Sequence, residues 1–164
     1  MGEMVVSSDP NEELVALGLG SCIGLAMIDR AAGVAGLAHI VLPESNVRGD
    51  QVGKFADTAV PALIAKMRDA GAVERRCESA IAGGARMFEM SGGLDIGSRN
   101  EAAVRAALAK ARIAVKAAKT GGNTGRTVKI SVRELLVTVR SAGEKPETLL
   151  EGRQLRTTTG AGAQ

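Results

Sequence analysis

The stretch Glu13-Leu14-Val15-Ala16-Leu17-Gly18-Leu19-Gly20-Ser21-Cys22-Ile23-Gly24-Leu25-Ala26-Met27-Ile28-Asp29-Arg30-Ala31-Ala32-Gly33-Val34-Ala35-Gly36-Leu37-Ala38-His39-Ile40-Val41-Leu42 decides the fold. Beyond Glu13 it is nearly continuous apolar residue and glycine, with polar side chains confined to Ser21, Asp29, Arg30 and His39. Runs of this kind suit buried strands better than helices, because no polar face recurs at helical spacing. Strands are therefore expected over 14–17, 23–28 and 34–41, with 29–33 as a hairpin turn in which Gly33 is available for a positive φ. Pro43 ends the third strand.

Working outward, a polar loop over 44–52 leads to a helix expected over 54–70. Val60, Leu63, Ile64 and Met67 lie at i, i+3, i+4 and i+7 on one stripe. Pro61 falls inside this pattern and should kink the helix or delay its start. Gly71 stops it, and a strand over 76–81 runs into Ala82-Gly83-Gly84-Ala85. After a Gly- and Ser-rich loop over 87–97, a second helix is expected over 99–112, capped by Asn100 or Ser98. Strands over 113–119, 128–132 and 135–139 follow, the last two paired across Arg133-Glu134. The fold expected is an α/β sandwich of mixed, largely antiparallel sheet with two main helices. Residues 1–12 form an N-terminal extension or edge strand, 13–140 the domain, and 141–164 an extension that ends in a disordered, Thr- and Gly-rich tail.

Composition removes several function classes. Lys plus Arg is 21 and Asp plus Glu 18 in 164 residues, a net +3 spread along the chain, which argues against nucleic acid as the main partner. Two Phe, no Tyr and no Trp leave few platforms for stacked bases. The first ten residues carry Glu3 and Asp9 and read neither as a signal peptide nor as a span, and no later run reaches the length of a membrane helix. The expectation is a soluble, cytoplasmic chain without membrane insertion, in which Cys22 and Cys77 are reduced thiols. Cys22, Cys77 and His39 have irregular spacing without Cys-x-x-Cys, so no metal is expected. Gly18-Leu19-Gly20 lacks the further Gly and the Lys of a phosphate cradle, so no cofactor is expected either.

Chemistry concentrates on Cys22 and His39. One hairpin separates them, so adjacent antiparallel strands can bring thiol and imidazole together. A lone Cys in an apolar run is also a good small hydrophobe, and a lone His on a strand a good structural residue. As a pair they hold the minimum parts of a cysteine amidohydrolase: a nucleophile and a group that takes and returns its proton. Gly18-Leu19-Gly20-Ser21-Cys22 adds a tight turn whose amides at Gly20 and Ser21 lie near the nucleophile, as an oxyanion hole requires. Cys77 is assigned no chemistry.

Several segments, in order, resemble one family. Leu17-Gly18-Leu19-Gly20-Ser21-Cys22 and Ala38-His39-Ile40-Val41-Leu42-Pro43 look like the signature of CheD, the bacterial chemoreceptor glutamine deamidase. Lys54-Phe55-Ala56-Asp57-Thr58-Ala59-Val60 is similar to its Lys-Tyr-Ala-Asp segment. Ile81-Ala82-Gly83-Gly84-Ala85 with Met87-Phe88, Ile96-Gly97 with Arg99-Asn100, and Thr120-Gly121-Gly122-Asn123 with Gly125-Arg126 also match. The resemblance implies that Cys22 and His39 hydrolyse receptor glutamines to glutamate with release of ammonia. It gives Thr58, Gly83 and Gly84, with Lys54 and Asp57, supporting places, and it names chemoreceptor cytoplasmic domains and a CheC-type phosphatase as partners. One position departs from it: where the family has a Thr six residues before the nucleophile, this chain has Ala16. Ser21, Thr58, Ser45 or a backbone carbonyl are the candidates left to orient His39. The rival reading is therefore a weakly active or non-catalytic chemotaxis binding module.

Overall fold

The computed structural model describes residues 1–45, 51–87 and 95–153. Among the described residues, nine strands form two sheets. The first contains β1 (Met4–Ser7), β3 (Ile23–Asp29), β4 (Val34–Ile40), β5 (Glu78–Gly83) and β6 (Ala114–Thr120) in the order β1-β4-β3-β5-β6. The second contains β2 (Glu13–Leu19), β7 (Arg126–Ser131), β8 (Leu136–Ser141) and β9 (Glu147–Leu150) in the order β2-β7-β8-β9. Every pairing is antiparallel except β5 with β6, which are joined by a helical crossover, the connection a parallel pair requires.

Helices α1 (Ala56–Asp69) and α2 (Ile96–Lys110) cover one face of the five-stranded sheet, and the four-stranded sheet covers the other. This layering is what the continuous apolar run records. All seven residues of β3 are buried because it is covered on both faces: Ile23, Leu25 and Met27 point to the helices, Ala26 and Ile28 to the second sheet. In β7 and β8 only one face meets the core, so Val128, Ile130, Val137 and Val139 alternate with polar residues. The result is the expected α/β sandwich with two main helices.

The boundaries depart from expectation for local reasons. A 3-10 turn over Val52–Lys54 precedes α1, and Phe55 is the extended residue at the helix start. The helix then runs through Pro61. That residue sits on the exposed face, so its missing N–H costs a bond on the solvent side and leaves the buried stripe Ala56, Ala59, Val60, Leu63, Ile64, Met67 intact. The strand expected over 76–81 begins two residues later, because Glu74–Arg76 forms a 3-10 turn. Neither Asn100 nor Ser98 caps α2. Asp95 does, accepting the Ser98 amide at 3.2 Å and the Ser98 hydroxyl at 2.6 Å. Asn100 is a fully buried residue of the helix interior.

At the N-terminus, Met4–Ser7 is the edge strand against β4. At the other end, β9 extends the second sheet within the stretch expected as an extension, whose large apolar residues are Leu149, Leu150 and Leu155. The tail expected at 157–164 lies outside the described residues, as does Phe88. Among the described residues, no helix is long and apolar enough to cross a membrane.

Candidate active site

The site begins at an irregularity. β2 loses its regular pairing with β7 between Ala16 and Leu19, where Gly18 takes φ +65°, and the chain turns through Gly20-Ser21-Cys22 into β3. Three consecutive carbonyls of this turn are held from behind. The Gly20 carbonyl accepts the Ala85 amide at 2.8 Å, and that of Cys22 accepts the Gly84 amide at 2.9 Å. Between them, the Ser21 carbonyl accepts Nδ2 of Asn100 at 2.9 Å. In a trans peptide the N–H points opposite to the C=O, so anchoring the Gly20 and Ser21 carbonyls turns the Ser21 and Cys22 amides to the other side. Among the described residues, neither amide donates to a carbonyl.

Gly83 explains why β5 can come so close. It takes φ +113°, and a Cβ there would lie 2.0 Å from the Cys22 carbonyl oxygen. Its own carbonyl accepts Nη1 of Arg126 at 3.1 Å and the Gly121 amide at 3.0 Å, while the Gly121 carbonyl accepts the same Nη1 at 2.8 Å. Arg126 is buried and braces the floor of the turn. Its place after Gly125 in a family-like segment gives no local sign of this role. Gly20 faces Met87, whose Cγ lies 2.9 Å from where a Cβ would stand.

His39 lies directly opposite Gly24 in the β3–β4 register. Cys22 is two residues before Gly24, so thiol and imidazole share the face turned to the second sheet and are diagonal neighbours across adjacent strands. The packing agrees: Cys22 belongs to the core between the sheets, and His39 opens into a cleft of about 310 Å³ with Leu14, Ala16 and Leu37. Glu3 and Glu13 line the same cleft. Burial pushes the Cys22 thiol up, against the opposing pull of the Met1 ammonium and of Cys22's own amide. Burial pushes the His39 imidazole down, helped by the same ammonium and opposed by Glu3. Burial thus favours the neutral form of both groups. Nε2 of His39 is buried and has no hydrogen-bond partner among the described residues.

The other candidates lie elsewhere. The Thr58 hydroxyl donates to the carbonyls of Val52 at 2.7 Å and Phe55 at 3.2 Å, at the start of α1 on the helix side of the sheet. Asp57 accepts the Ser45 amide at 3.0 Å, and Lys54 lies over the Phe55 ring, 5.8 Å from its centre. Ala16 is the neighbour that shares the imidazole's cleft, and it brings a methyl group there. Cys77 is buried at the far end of β5 next to Asp29, its thiol pushed up to about 11 by burial and by the charges of Asp29 and Glu74. Among the described residues, no group of His, Cys, Asp and Glu side chains is arranged to hold a metal ion.

Comparison with known proteins bears on most of the chain. The family model described as CheD chemotactic sensory transduction matches residues 41–141. A protein of Symbiobacterium thermophilum named probable chemoreceptor glutamine deamidase CheD is 44% identical over 149 residues, 87% of this chain and 90% of that one. The chemoreceptor glutamine deamidase CheD of Thermotoga maritima is 43% identical over 143 residues, again 87% of this chain and 90% of its own. The Clostridium novyi protein, also named probable chemoreceptor glutamine deamidase CheD, is 43% identical over 141 residues, 82% of this chain and 86% of that one. A family model over residues 41–141 and relatives 43–44% identical over most of the chain make this protein a member of the CheD family.

Proposed function

We propose that this chain is a protein-glutamine deamidase acting on the cytoplasmic helices of chemoreceptors, with Cys22 as nucleophile and His39 as acid and base. The observation that carries the reading is the shared face of Cys22 and His39 on neighbouring strands, beside a turn whose Ser21 and Cys22 amides have no carbonyl acceptor among the described residues. His39 takes the thiol proton as sulfur attacks the carboxamide carbon of glutamine, and the tetrahedral oxyanion receives the Ser21 and Cys22 amides. The imidazolium returns that proton to the departing nitrogen, and the C–N bond breaks to give ammonia and a thioester. Neutral His39 then deprotonates water, which adds to the thioester and restores the thiol, leaving a receptor glutamate. Receptor charge changes at that position, and the new carboxylate can accept a methyl group. The relatives' names support the substrate class.

Ala16 supports a second reading. With a methyl group in the cleft and no partner on Nε2 among the described residues, no described hydroxyl orients the imidazole through that atom, which favours slow turnover or a module that binds receptors and a CheC-type phosphatase. Ammonia release, with the mass gain of NH2 replaced by OH on a chemoreceptor fragment, tests both. Under the first reading the native chain deamidates, while Cys22→Ala and His39→Ala do not. Activity that appears only in Ala16→Thr supports the second. Inactivity of every variant on a receptor that the chain binds overturns the deamidase.

A further inference from the structure

We propose that Asn100 is a positioning residue of this site, fixing the Cys22 amide as an oxyanion donor and setting its place relative to His39; the inference rests on the deamidase reading. Asn100 is fully buried in the first turns of α2. Its Nδ2 donates to two carbonyls at once, that of Ser21 at 2.9 Å and that of Val41 at 2.9 Å. The first belongs to the peptide unit whose N–H is the amide of Cys22. The second lies two residues beyond His39, where β4 ends. One carboxamide thus ties the turn that presents the nucleophile to the strand that presents the base.

The chemistry of the position admits few other side chains. Two carbonyls call for two N–H bonds from one short neutral group. A buried Lys or Arg would bring a charge without a counter-ion, a Ser has one proton to give, and an Asp has none when ionised. Oδ1 meanwhile is buried without a partner among the described residues. A buried acceptor left unpaired is costly, so the residue is not there merely to satisfy its own polar atoms. Its bond to the Ser21 carbonyl also polarises that peptide unit, which makes the Cys22 N–H a stronger donor. In the resting site the Cys22 amide favours the thiolate form of its own side chain. Once sulfur carries the acyl carbon, the same N–H lies next to the developing oxyanion.

The test uses the full chain with Cys77→Ala, so that thiol chemistry reports on Cys22. Two probes separate positioning from simple loosening. Iodoacetamide alkylates sulfur by displacement at a saturated carbon and builds no oxyanion, whereas p-nitrophenyl acetate acylates it through a tetrahedral oxyanion. In Asn100→Ser, kcat for deamidation of a receptor fragment and the acylation rate should both fall about 10²-fold. KM and the alkylation rate should stay within about twofold of the parent. Asn100→Gln, which keeps the carboxamide but displaces it by a methylene, should show the same split and serves if the Ser variant does not fold. Alkylation falling in step with acylation, unchanged kcat, or failure of both variants to fold would each overturn the proposal. A parent that acylates through Cys22 but releases no ammonia from receptor glutamine removes the deamidase reading and leaves the acylation split to decide on Asn100.

Discussion

The two ends of β3 pose the same electrostatic problem and answer it in opposite ways. At its C-terminal end the Asp29 carboxylate is fully buried, and burial alone would raise its pKa. It accepts the amides of Ala31 at 3.1 Å, Ala32 at 3.2 Å and Val73 at 2.8 Å, and Nη2 of Arg76 at 3.0 Å. Together these donors outweigh burial and hold the carboxyl below its usual range. At the N-terminal end, burial outweighs the weaker opposition of the Met1 ammonium and Cys22's own amide at the thiol and of Glu3 at the imidazole, and both groups are driven toward their neutral forms. Desolvation is common to the two ends. What differs is how many donors and charges the fold sets against it, and a polar group with few of them is available to act on a substrate.

The comparison breaks most visibly at Asp29. Asp29→Asn removes the charge that Arg76 faces and weakens the acceptor of three amides, and should cost about 2–4 kcal/mol in urea unfolding. Turnover per folded molecule should not change. Because the folded pKa is lowered, the native chain holds this stabilisation above the unfolded carboxylate pKa and loses it as pH falls through the folded value. The Asn variant should therefore show a flatter acid limb. A smaller effect is expected at Ala16, where Ala16→Thr places a hydroxyl in the imidazole's cleft and should raise kcat by about tenfold. The subtlest expected effect is in pH dependence. In the Cys77→Ala chain, alkylation of Cys22 should rise with pH to a midpoint above that of an ordinary thiol, since burial favours the protonated form. Deamidation should fade on the acid side only below the ordinary histidine pKa, since burial lowers that of His39. A thiol midpoint below the ordinary one would mean that the resting site is an ion pair and that the two ends of β3 are alike.

Much of this was legible because the deciding stretch is local. The run from Leu14 to Leu42 fixes three strands and a turn, and two-residue alternation puts Cys22 and His39 on one face once β3 and β4 pair. Family-like segments then singled out the Gly83-Gly84 corner, though not its reason, which is the approach of β5 to the Cys22 carbonyl. Asn100 reads as a helix cap because its type and place near the start of an amphipathic run suit one. Its actual partners, Ser21 and Val41, are 79 and 59 residues away, and no local pattern encodes them. The same holds for Arg126, which bonds Gly83 across 43 residues. β9 escaped notice because Glu147–Leu150 carries few apolar residues and becomes a strand by pairing with β8. Local patterning thus reveals the elements and the nucleophile, whereas the groups that hold the nucleophile in place come from long-range contacts.

The most direct test of the account is ammonia release from a chemoreceptor fragment by Cys22→Ala and Asp29→Asn, each normalised to the folded fraction. The account predicts that Cys22→Ala loses activity by about 10³-fold or more while keeping native stability, and that Asp29→Asn loses stability while keeping its turnover. Ammonia release by Cys22→Ala at the native rate would contradict it.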